Sequence, residues 1–303
     1  MTAGGDGQQD WGVNYSASYV CALKGSTVKM SCTLKYPSGY EIETVFWTKP
    51  TVPDGDPPNL CLVPQKSGRV QCVRENNNTY SITLTDVTEA DKHIYYCRFI
   101  TNLQGGKWTG IPGAQLDVTD LQVETQQSVK EGDSVTLTCK SSCSLPQKTF
   151  IWFRNTQRLT TGTITENQLQ LQSVSRNDAR NYQCAVSGYE PLISPPVYLN
   201  IEYPPQNISV SISPSGVIVE GDSVTLSCSS DSNPPALIFS WFKENQSSAV
   251  GSGQSFSISS FNSSHSGRFY CEAQNKHGSQ RSESVSVTVK GIFCKHSFSC
   301  ISL

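Results

Sequence analysis

Three segments of this 303-residue chain repeat one arrangement of cysteine, tryptophan and a second cysteine. The residues are Cys32, Trp47 and Cys97 in the first copy, Cys139, Trp152 and Cys184 in the second, and Cys228, Trp241 and Cys271 in the third. In each copy an aromatic residue stands two positions before the second cysteine: Tyr95, Tyr182 and Phe269. A disulfide between two packed sheets, with a tryptophan lying against it, predicts an all-β fold built from repeated sandwiches.

The spacing within each copy predicts the type of sandwich. The paired cysteines are separated by 65 residues in the first copy, and by 45 and 43 in the others. About twenty extra residues accommodate two further strands, C′ and C″. We therefore predict three tandem immunoglobulin-like β-sandwiches: a V-type domain over residues 11–118 and constant-like or C2-type domains over 119–202 and 203–290, followed by an unstructured tail over 291–303.

Composition limits the class of protein. The formal charge of −2 and the pI of about 6.1 give no reason to expect a nucleic-acid partner. Twelve cysteines favour an oxidising compartment. Five N-glycosylation sequons agree with secretion, at Asn14, Asn77, Asn207, Asn245 and Asn262.

Neither a signal peptide nor a membrane span is evident. Residues 1–10 have no apolar run. No stretch approaches the roughly 18 apolar residues that a spanning helix needs. We expect an extracellular, cell-surface ectodomain whose parent form is a single-pass membrane protein, and which contacts the membrane only through an anchor absent from this sequence.

Six cysteines remain outside the three core pairs. Cys21 lies upstream of strand B in the first domain and Cys143 just after strand B in the second, and a bridge between them would hold the joint rigid; Cys61 and Cys72 flank a hairpin-like turn. Both pairings are hypotheses, because spacing alone does not determine connectivity. Cys294 and Cys300 stand in the tail with His296, too few ligands for a closed metal site. We expect no metal and no cofactor.

Candidate binding residues cluster around the second cysteine of the first domain. Because Cys97 points inward, strand alternation directs Arg98 outward, where its guanidinium suits a carboxylate. Trp11 and Trp108 lie on strands that flank or neighbour this one, so the three side chains are expected to converge on one face. The alternatives are a solvated arginine, a tryptophan covering a strand edge, and a tryptophan in a protein interface. Arg69 is expected to pair with Asp91 in a structural role.

The quoted motifs resemble the siglec family, the sialic-acid-binding immunoglobulin-like lectins. The resemblance covers the first two domains and rests on Asp10-Trp11-Gly-Val13, Tyr95-Tyr-Cys-Arg98 and Lys107-Trp108. It implies that Arg98 pairs with the sialic acid carboxylate, that Trp11 packs on the N-acetyl group and that Trp108 packs on the glycerol side chain. Main-chain groups near Gly105 and Thr109 would hydrogen-bond the sugar. The family's inter-domain disulfide resembles the Cys21–Cys143 hypothesis.

The first domain departs from the family in one respect. Siglecs usually bridge two strands of one sheet through a strand-E cysteine, but here Tyr80 occupies that position and Cys97 lies on strand F.

The sequence therefore predicts a siglec-type recognition and adhesion ectodomain that binds sialylated glycoproteins or glycolipids in cis or trans. The alternative is an immune or adhesion receptor ectodomain that binds other cell-surface proteins without lectin activity. The four histidines are dispersed, and no G-x-S-x-G or phosphate-binding glycine loop occurs, so we do not expect an enzyme.

Overall fold

The structure, a computed structural model, describes residues 11–50, 57–62, 68–103, 106–147, 149–160 and 162–290, and the backbone of 292–295 and 299–302. These residues form strands, turns and three single turns of 3-10 helix, which confirms the all-β class. The 3-10 turns are Glu89–Asp91, Arg176–Asp178 and Ser263–His265. None of the described helices is long and apolar enough to cross a membrane.

The first sandwich contains two sheets. Its strands are β1 (Gly12–Tyr15), β2 (Tyr19–Leu23), β3 (Val28–Lys35), β4 (Ile42–Thr48), β5 (Val70–Arg74), β6 (Thr79–Leu84), β7 (His93–Thr101), β8 (Lys107–Thr109) and β9 (Ala114–Thr119). One sheet has the order β1-β3-β6-β5, and the other has the order β2-β9-β7-β4 with β8 also paired to β7.

Alternating burial explains how these strands make a core. Along β3 every second residue from Val28 to Leu34 is buried, and this buried set includes Met30 and Cys32. Such a pattern places one face of a strand against the opposite sheet. Cys32, Trp47 and Cys97 are at most 1% exposed and lie at the centre of this core.

The expected strands C′ and C″ would fall between β4 and β5. The described residues of that region are 49–50, 57–62 and 68–69, and they form a turn at 57–62 and no strand; residues 51–56 and 63–67 lie outside the described residues. A disulfide joins Cys61 in this turn to Cys72 on β5. The extra length of the first repeat therefore includes a loop that a disulfide holds to β5.

By the density of their internal contacts, the described residues form two compact units. One unit holds the described residues up to Thr125 together with Thr136–Leu171 and Arg180–Tyr198; the other holds Gln126–Val135, Gln172–Ala179 and the described residues from Leu199 onward.

The middle repeat is assembled from short strands. They are β10 (Gln122–Glu124), β11 (Val129–Lys130), β12 (Val135–Lys140), β13 (Phe150–Arg154), β14 (Gln157–Arg158), β15 (Thr163–Thr165), β16 (Gln168–Leu171), β17 (Asn181–Val186) and β18 (Val197–Tyr198). Its two sheets have the orders β10-β12-β16-β15 and β14-β13-β17-β18. Within the second compact unit, β11 pairs in parallel with the following strand, β19.

The third repeat begins on a long strand. Its strands are β19 (Ile201–Ser213), β20 (Val224–Asn233), β21 (Ile238–Lys243), β22 (Gly251–Ser252), β23 (Ser255–Ile258), β24 (Gly267–Asn275), β25 (Gly278–Arg281) and β26 (Val285–Val287). Because β19 runs through the expected boundary at 202/203, regular structure continues from the second repeat into the third.

The tail differs from the expectation of an unstructured segment. Strands β27 (Ile292–Lys295) and β28 (Ser299–Ser302) form an antiparallel hairpin with Cys294 opposite Cys300 in the backbone register. Both runs contain β-favouring isoleucine or phenylalanine, and a short connection suffices to pair two such runs.

Candidate functional site

Strand β7 carries Arg98 on the outer face of the first sandwich. Burial alternates along this strand, and Tyr95, Cys97 and Phe99 are buried. Because successive strand residues point to opposite faces, Arg98 points away from the Cys97 disulfide. This orientation is the one that alternation predicts.

The neighbours of Arg98 combine apolar and polar side chains. In the strand register Arg98 lies opposite Phe46 on β4 and Thr109 on β8. Cross-strand partners share a face of the sheet, so both neighbours stand on the outer face. Tyr96 and Ile100, two positions away on β7, are half-buried on this face. Lys107 is the exposed partner of Ile100. We call these five residues, together with Lys107, the Arg98 face.

The Arg98 guanidinium has unused hydrogen-bonding capacity. Its Nε atom is buried and has no hydrogen-bond partner in the described structure. The other side-chain atoms in this condition, Trp47 Nε1, Thr125 Oγ1 and Trp152 Nε1, belong to neutral groups. A buried donor without an acceptor costs about 1–3 kcal/mol, and more for a charged group. A carboxylate is the acceptor that matches a guanidinium best.

Trp11 and Trp108 meet in an aromatic cluster. Their ring centroids are 6.4 Å apart and nearly parallel. Trp11 also stacks on Phe99 at 5.8 Å and meets Tyr40 edge-on at 4.8 Å. Both tryptophans are partly buried against the core of the first sandwich. Their stacking contributes to packing in that sandwich.

The two tryptophans and Arg98 do not share one face, in contrast to the expected convergence. Trp108 lies opposite Phe99 in the register, whereas Thr109 lies opposite Arg98. Since Phe99 is fully buried on the inner side, Trp108 points inward and Arg98 outward. Because Trp108 and Thr109 are successive residues of β8, they point to opposite faces, and only Thr109 lies on the face of Arg98. Gly105, the other predicted sugar contact, lies outside the described residues.

A residue that the sequence reasoning missed lies next to Arg98. The Tyr15 hydroxyl donates to Gly110 O at 2.5 Å and accepts from Cys97 N–H at 3.0 Å. Gly110 N–H in turn donates to Cys97 O at 3.0 Å. The sequence signals only that Tyr15 follows exposed Asn14 and therefore points inward on β1.

Burial raises the pKa of Tyr15 to about 12, although the Cys97 N–H bond opposes this change. The hydroxyl therefore keeps its proton at physiological pH and can donate and accept at once. A Cβ atom added at Gly110 would lie 2.6 Å from both Tyr15 Oη and Val13 Cβ. Glycine at this position is required by that close approach.

A second arginine of the first sandwich, Arg69, has acceptors for its Nε and Nη2 atoms within the protein. Arg69 donates to Thr85 O, Asp86 O and Asp91 Oδ2, which confirms the predicted Arg69–Asp91 pair. The buried Tyr95 hydroxyl donates to Asp91 O at 2.8 Å. This cluster is structural, since its groups satisfy one another.

The sheet that carries the Arg98 face contains no glycosylation sequon on its strands. All five sequon asparagines are exposed. Asn14 lies on β1 and Asn77 on the turn between β5 and β6, so both belong to the sheet opposite the one containing β7. Strands β2, β4, β7, β8 and β9 contain no asparagine.

The first compact unit contains a covalent link between the first sandwich and the part of the second sandwich that belongs to this unit. A disulfide joins Cys21 to Cys143. Nearby, Ser142 N–H donates to Thr119 Oγ1 at 2.8 Å. The three core disulfides, Cys32–Cys97, Cys139–Cys184 and Cys228–Cys271, are also present.

Family comparisons agree with this architecture. The immunoglobulin V-set domain family matches residues 15–119, and immunoglobulin domain families match 119–187 and 206–289. The chain is a multi-domain protein of the immunoglobulin superfamily.

Its relatives are receptors and adhesion molecules by name. Mouse B-cell receptor CD22 is 32% identical over 58% of this chain and 20% of its own length. Mouse Fc receptor-like protein 1 is 29% identical over 60% of this chain and 57% of its own length. Human cell adhesion molecule 1 is 25% identical over 92% of this chain and 64% of its own length. The chain thus spans less than two thirds of each of these relatives.

Proposed function

We propose that this chain is the extracellular recognition portion of a cell-surface receptor or adhesion molecule, and that its first sandwich binds terminal sialic acid on glycoproteins or glycolipids. The observation that carries the proposal is Arg98, whose buried Nε–H lacks an acceptor on a face free of sequons. Sialic acid presents a carboxylate at the end of a glycan. When the Arg98 side chain turns its Nε–H toward solvent, a charge-assisted pair with this carboxylate gives the donor the acceptor that it lacks within the fold.

The contacts differ in part from those that the family resemblance implies. Arg98 pairs with the carboxylate, and the β8 edge at Thr109, its cross-strand neighbour, provides main-chain groups for the sugar. Gly105, which lies outside the described residues, stays a proposed contact. Trp11 and Trp108 support the site from the inner side by packing on Phe99, rather than by covering the sugar beside Arg98.

Affinity at such a site is low for a single copy. One charge-assisted pair on an open sheet face corresponds to dissociation constants of about 1 mM, or roughly −4 kcal/mol. Clustering many copies on one surface raises the effective affinity by orders of magnitude. We therefore place the function at a cell surface, where receptors and glycans are both multivalent.

A second candidate is recognition of a protein partner by the same face. Phe46, Tyr96 and Ile100 surround Arg98, and arginine and tyrosine are enriched at the centres of protein interfaces. The inward packing of both tryptophans favours this candidate, because it removes two sugar-stacking groups from the face. Binding of such a protein partner would survive enzymatic removal of sialic acid.

Selective 15N-arginine labelling of the full chain tests the proposal at the atom concerned. The Arg98 Nε–H signal, assigned by its loss in Arg98→Lys, is followed during titration with the α-methyl glycoside of sialic acid. We expect a progressive downfield shift as the carboxylate accepts the bond. The carboxyl methyl ester of the same sugar should produce a much smaller shift, because it removes the charge.

Arg268 provides the internal control. It lies on β24, and its Nε already donates to Glu244 at 3.2 Å. Its signal should stay in place throughout the titration. An Arg98 signal that does not move at about ten times the expected 1 mM dissociation constant would reject the sialic acid proposal, and equal shifts with acid and ester would reject the charge-assisted pair.

A further inference from the structure

We infer that the Tyr15 hydroxyl is a positioning group that holds β8 against β7 beside Arg98, and that ligand binding at the Arg98 face depends on it. The dependence of binding rests on the proposed function, whereas the positioning of Arg98 is measurable without any ligand. Tyr15 contacts the strand backbone and not the ligand itself.

The hydrogen-bond ladder between β7 and the chain around β8 is interrupted at Cys97 and Gly110. In an antiparallel ladder, every second pair of opposed residues exchanges two hydrogen bonds between N–H and C=O groups, and Cys97 and Gly110 stand at such a position. Cys97 and Gly110 make one of these bonds directly, from Gly110 N–H to Cys97 O. The other is replaced by the Tyr15 hydroxyl, which accepts from Cys97 N–H and donates to Gly110 O. A side chain from the opposite sheet thus completes the ladder.

The Tyr15 hydroxyl is inserted at the point where the strand paired with β7 changes from β9 to β8. Residues Arg98 to Ile100 pair with β8, and His93 to Tyr95 pair with β9. Between the two paired stretches, Tyr96 and Cys97 have no residue partner in either strand. Arg98 is the first residue paired with β8 beyond this gap, while β4 pairs with it on the other side. The position of β8 beside Arg98 therefore depends on how the gap is held.

Packing fixes the hydroxyl in place. The Tyr15 ring lies 6.0 Å from that of Trp47 in the core. Gly110 leaves no room for a side chain between Tyr15 and Val13. The Tyr15 ring, its hydroxyl and Gly110 constrain one another. Removing the hydroxyl alone therefore leaves Cys97 N–H and Gly110 O without the group that bridges them. We expect β8 to shift relative to β7 in order to restore a direct bond.

The test compares Tyr15→Phe with Tyr36→Phe in the full chain. Tyr36 is a matched control, because its hydroxyl contacts Asn78 at 3.3 Å in an exposed setting, away from the gap. In ligand-free Tyr15→Phe we expect the Arg98 Nε–H signal to move and exchange of the Cys97 amide to accelerate about tenfold or more. Affinity for the α-methyl sialoside should fall about tenfold. Tyr36→Phe should change none of these.

Gly110→Ala provides a second route to the same change, because its Cβ would displace the hydroxyl while leaving the phenol intact. Unchanged Arg98 and Cys97 signals in both variants would overturn the inference. So would normal sialoside affinity in Tyr15→Phe when Arg98→Ala abolishes binding. If the wild-type chain binds no sialoside, the proposed function fails separately, and the ligand-free signals still decide whether Tyr15 positions Arg98.

Discussion

Two arginines of the first sandwich show how hydrogen bonding separates a structural residue from a candidate ligand contact. Arg69 directs its donors to two carbonyl oxygens and the Asp91 carboxylate. Arg98 has a buried donor with no acceptor. A group that is already satisfied gains little from a ligand, whereas an unsatisfied one gains a full charge-assisted bond.

Replacing Asp91 with asparagine should destabilise the first sandwich. The carboxylate side chain is 13% exposed and its Arg69 partner 32% exposed. Breaking a buried pair costs about 3–5 kcal/mol, and partial solvent screening reduces this to about 2 kcal/mol. Urea unfolding of Asp91→Asn should show that loss. A change below roughly 0.5 kcal/mol would place this pair among ordinary surface ion pairs.

Asp91→Asn should also change how the free energy of unfolding depends on pH in the acidic range. Burial alone would raise the pKa of Asp91, but hydrogen bonds from Thr88 and Arg69 and the charge of Arg69 outweigh it and lower the pKa. A lowered carboxyl pKa stabilises the fold above the unfolded value of about 4 and loses that effect as pH falls through the folded value. Asp91→Asn should therefore lose less stability than the wild type below pH of about 4.

Residue-level prediction from sequence succeeds where the cause is local. The outward direction of Arg98 follows from its position after Cys97, because strand alternation has a period of two. The role of Tyr15 does not follow, since its hydroxyl meets Gly110 at a sequence separation of 95 residues. Only the packed sandwich brings those groups together.

At the scale of elements, β7 and β8 set the geometry of the site. The sequence predicts both strands, but Trp108 faces inward because it pairs with Phe99. The register of a hairpin depends on the length and conformation of its loop, and a shift of one residue reverses every side chain. This explains why the candidate residues could be named while their common face could not.

The stacked tryptophans should act as packing residues. Trp11→Ala and Trp108→Ala each remove a partly buried ring from the cluster on Phe99. We expect each to lower the free energy of unfolding by about 2 kcal/mol, somewhat less than for a fully buried tryptophan. Because the two rings touch, the double mutant should deviate from additivity by about 0.5–1.5 kcal/mol.

A double-mutant cycle under urea, with circular dichroism as the readout, measures both quantities. Tyr36→Ala is a suitable comparison, because the Tyr36 ring also contacts Phe99, at 6.1 Å between centroids. Purely additive losses would contradict a shared stack. Unchanged stability in both single variants would contradict the packing role of the two tryptophans.

At the scale of the whole molecule, the repeated cysteine frame predicted the number and class of the sandwiches. Each repeat encodes its own disulfide and core tryptophan, so this information is local to about one hundred residues. The paired strands of the tail escaped prediction, because that segment lacks the repeated frame. The covalent link between Cys21 and Cys143 lies within the first compact unit and joins the first sandwich to part of the second.

The most direct test of the central claim is binding of the full glycosylated chain, clustered on beads, to an array of sialylated glycans before and after sialidase treatment. Wild-type beads and Arg268→Ala beads should bind the untreated array and lose binding after treatment. Arg98→Ala beads should show at least about a hundredfold weaker signal, because clustering multiplies the loss at each site. Binding that survives sialidase, or that is unchanged in Arg98→Ala, would contradict sialic acid recognition by this face.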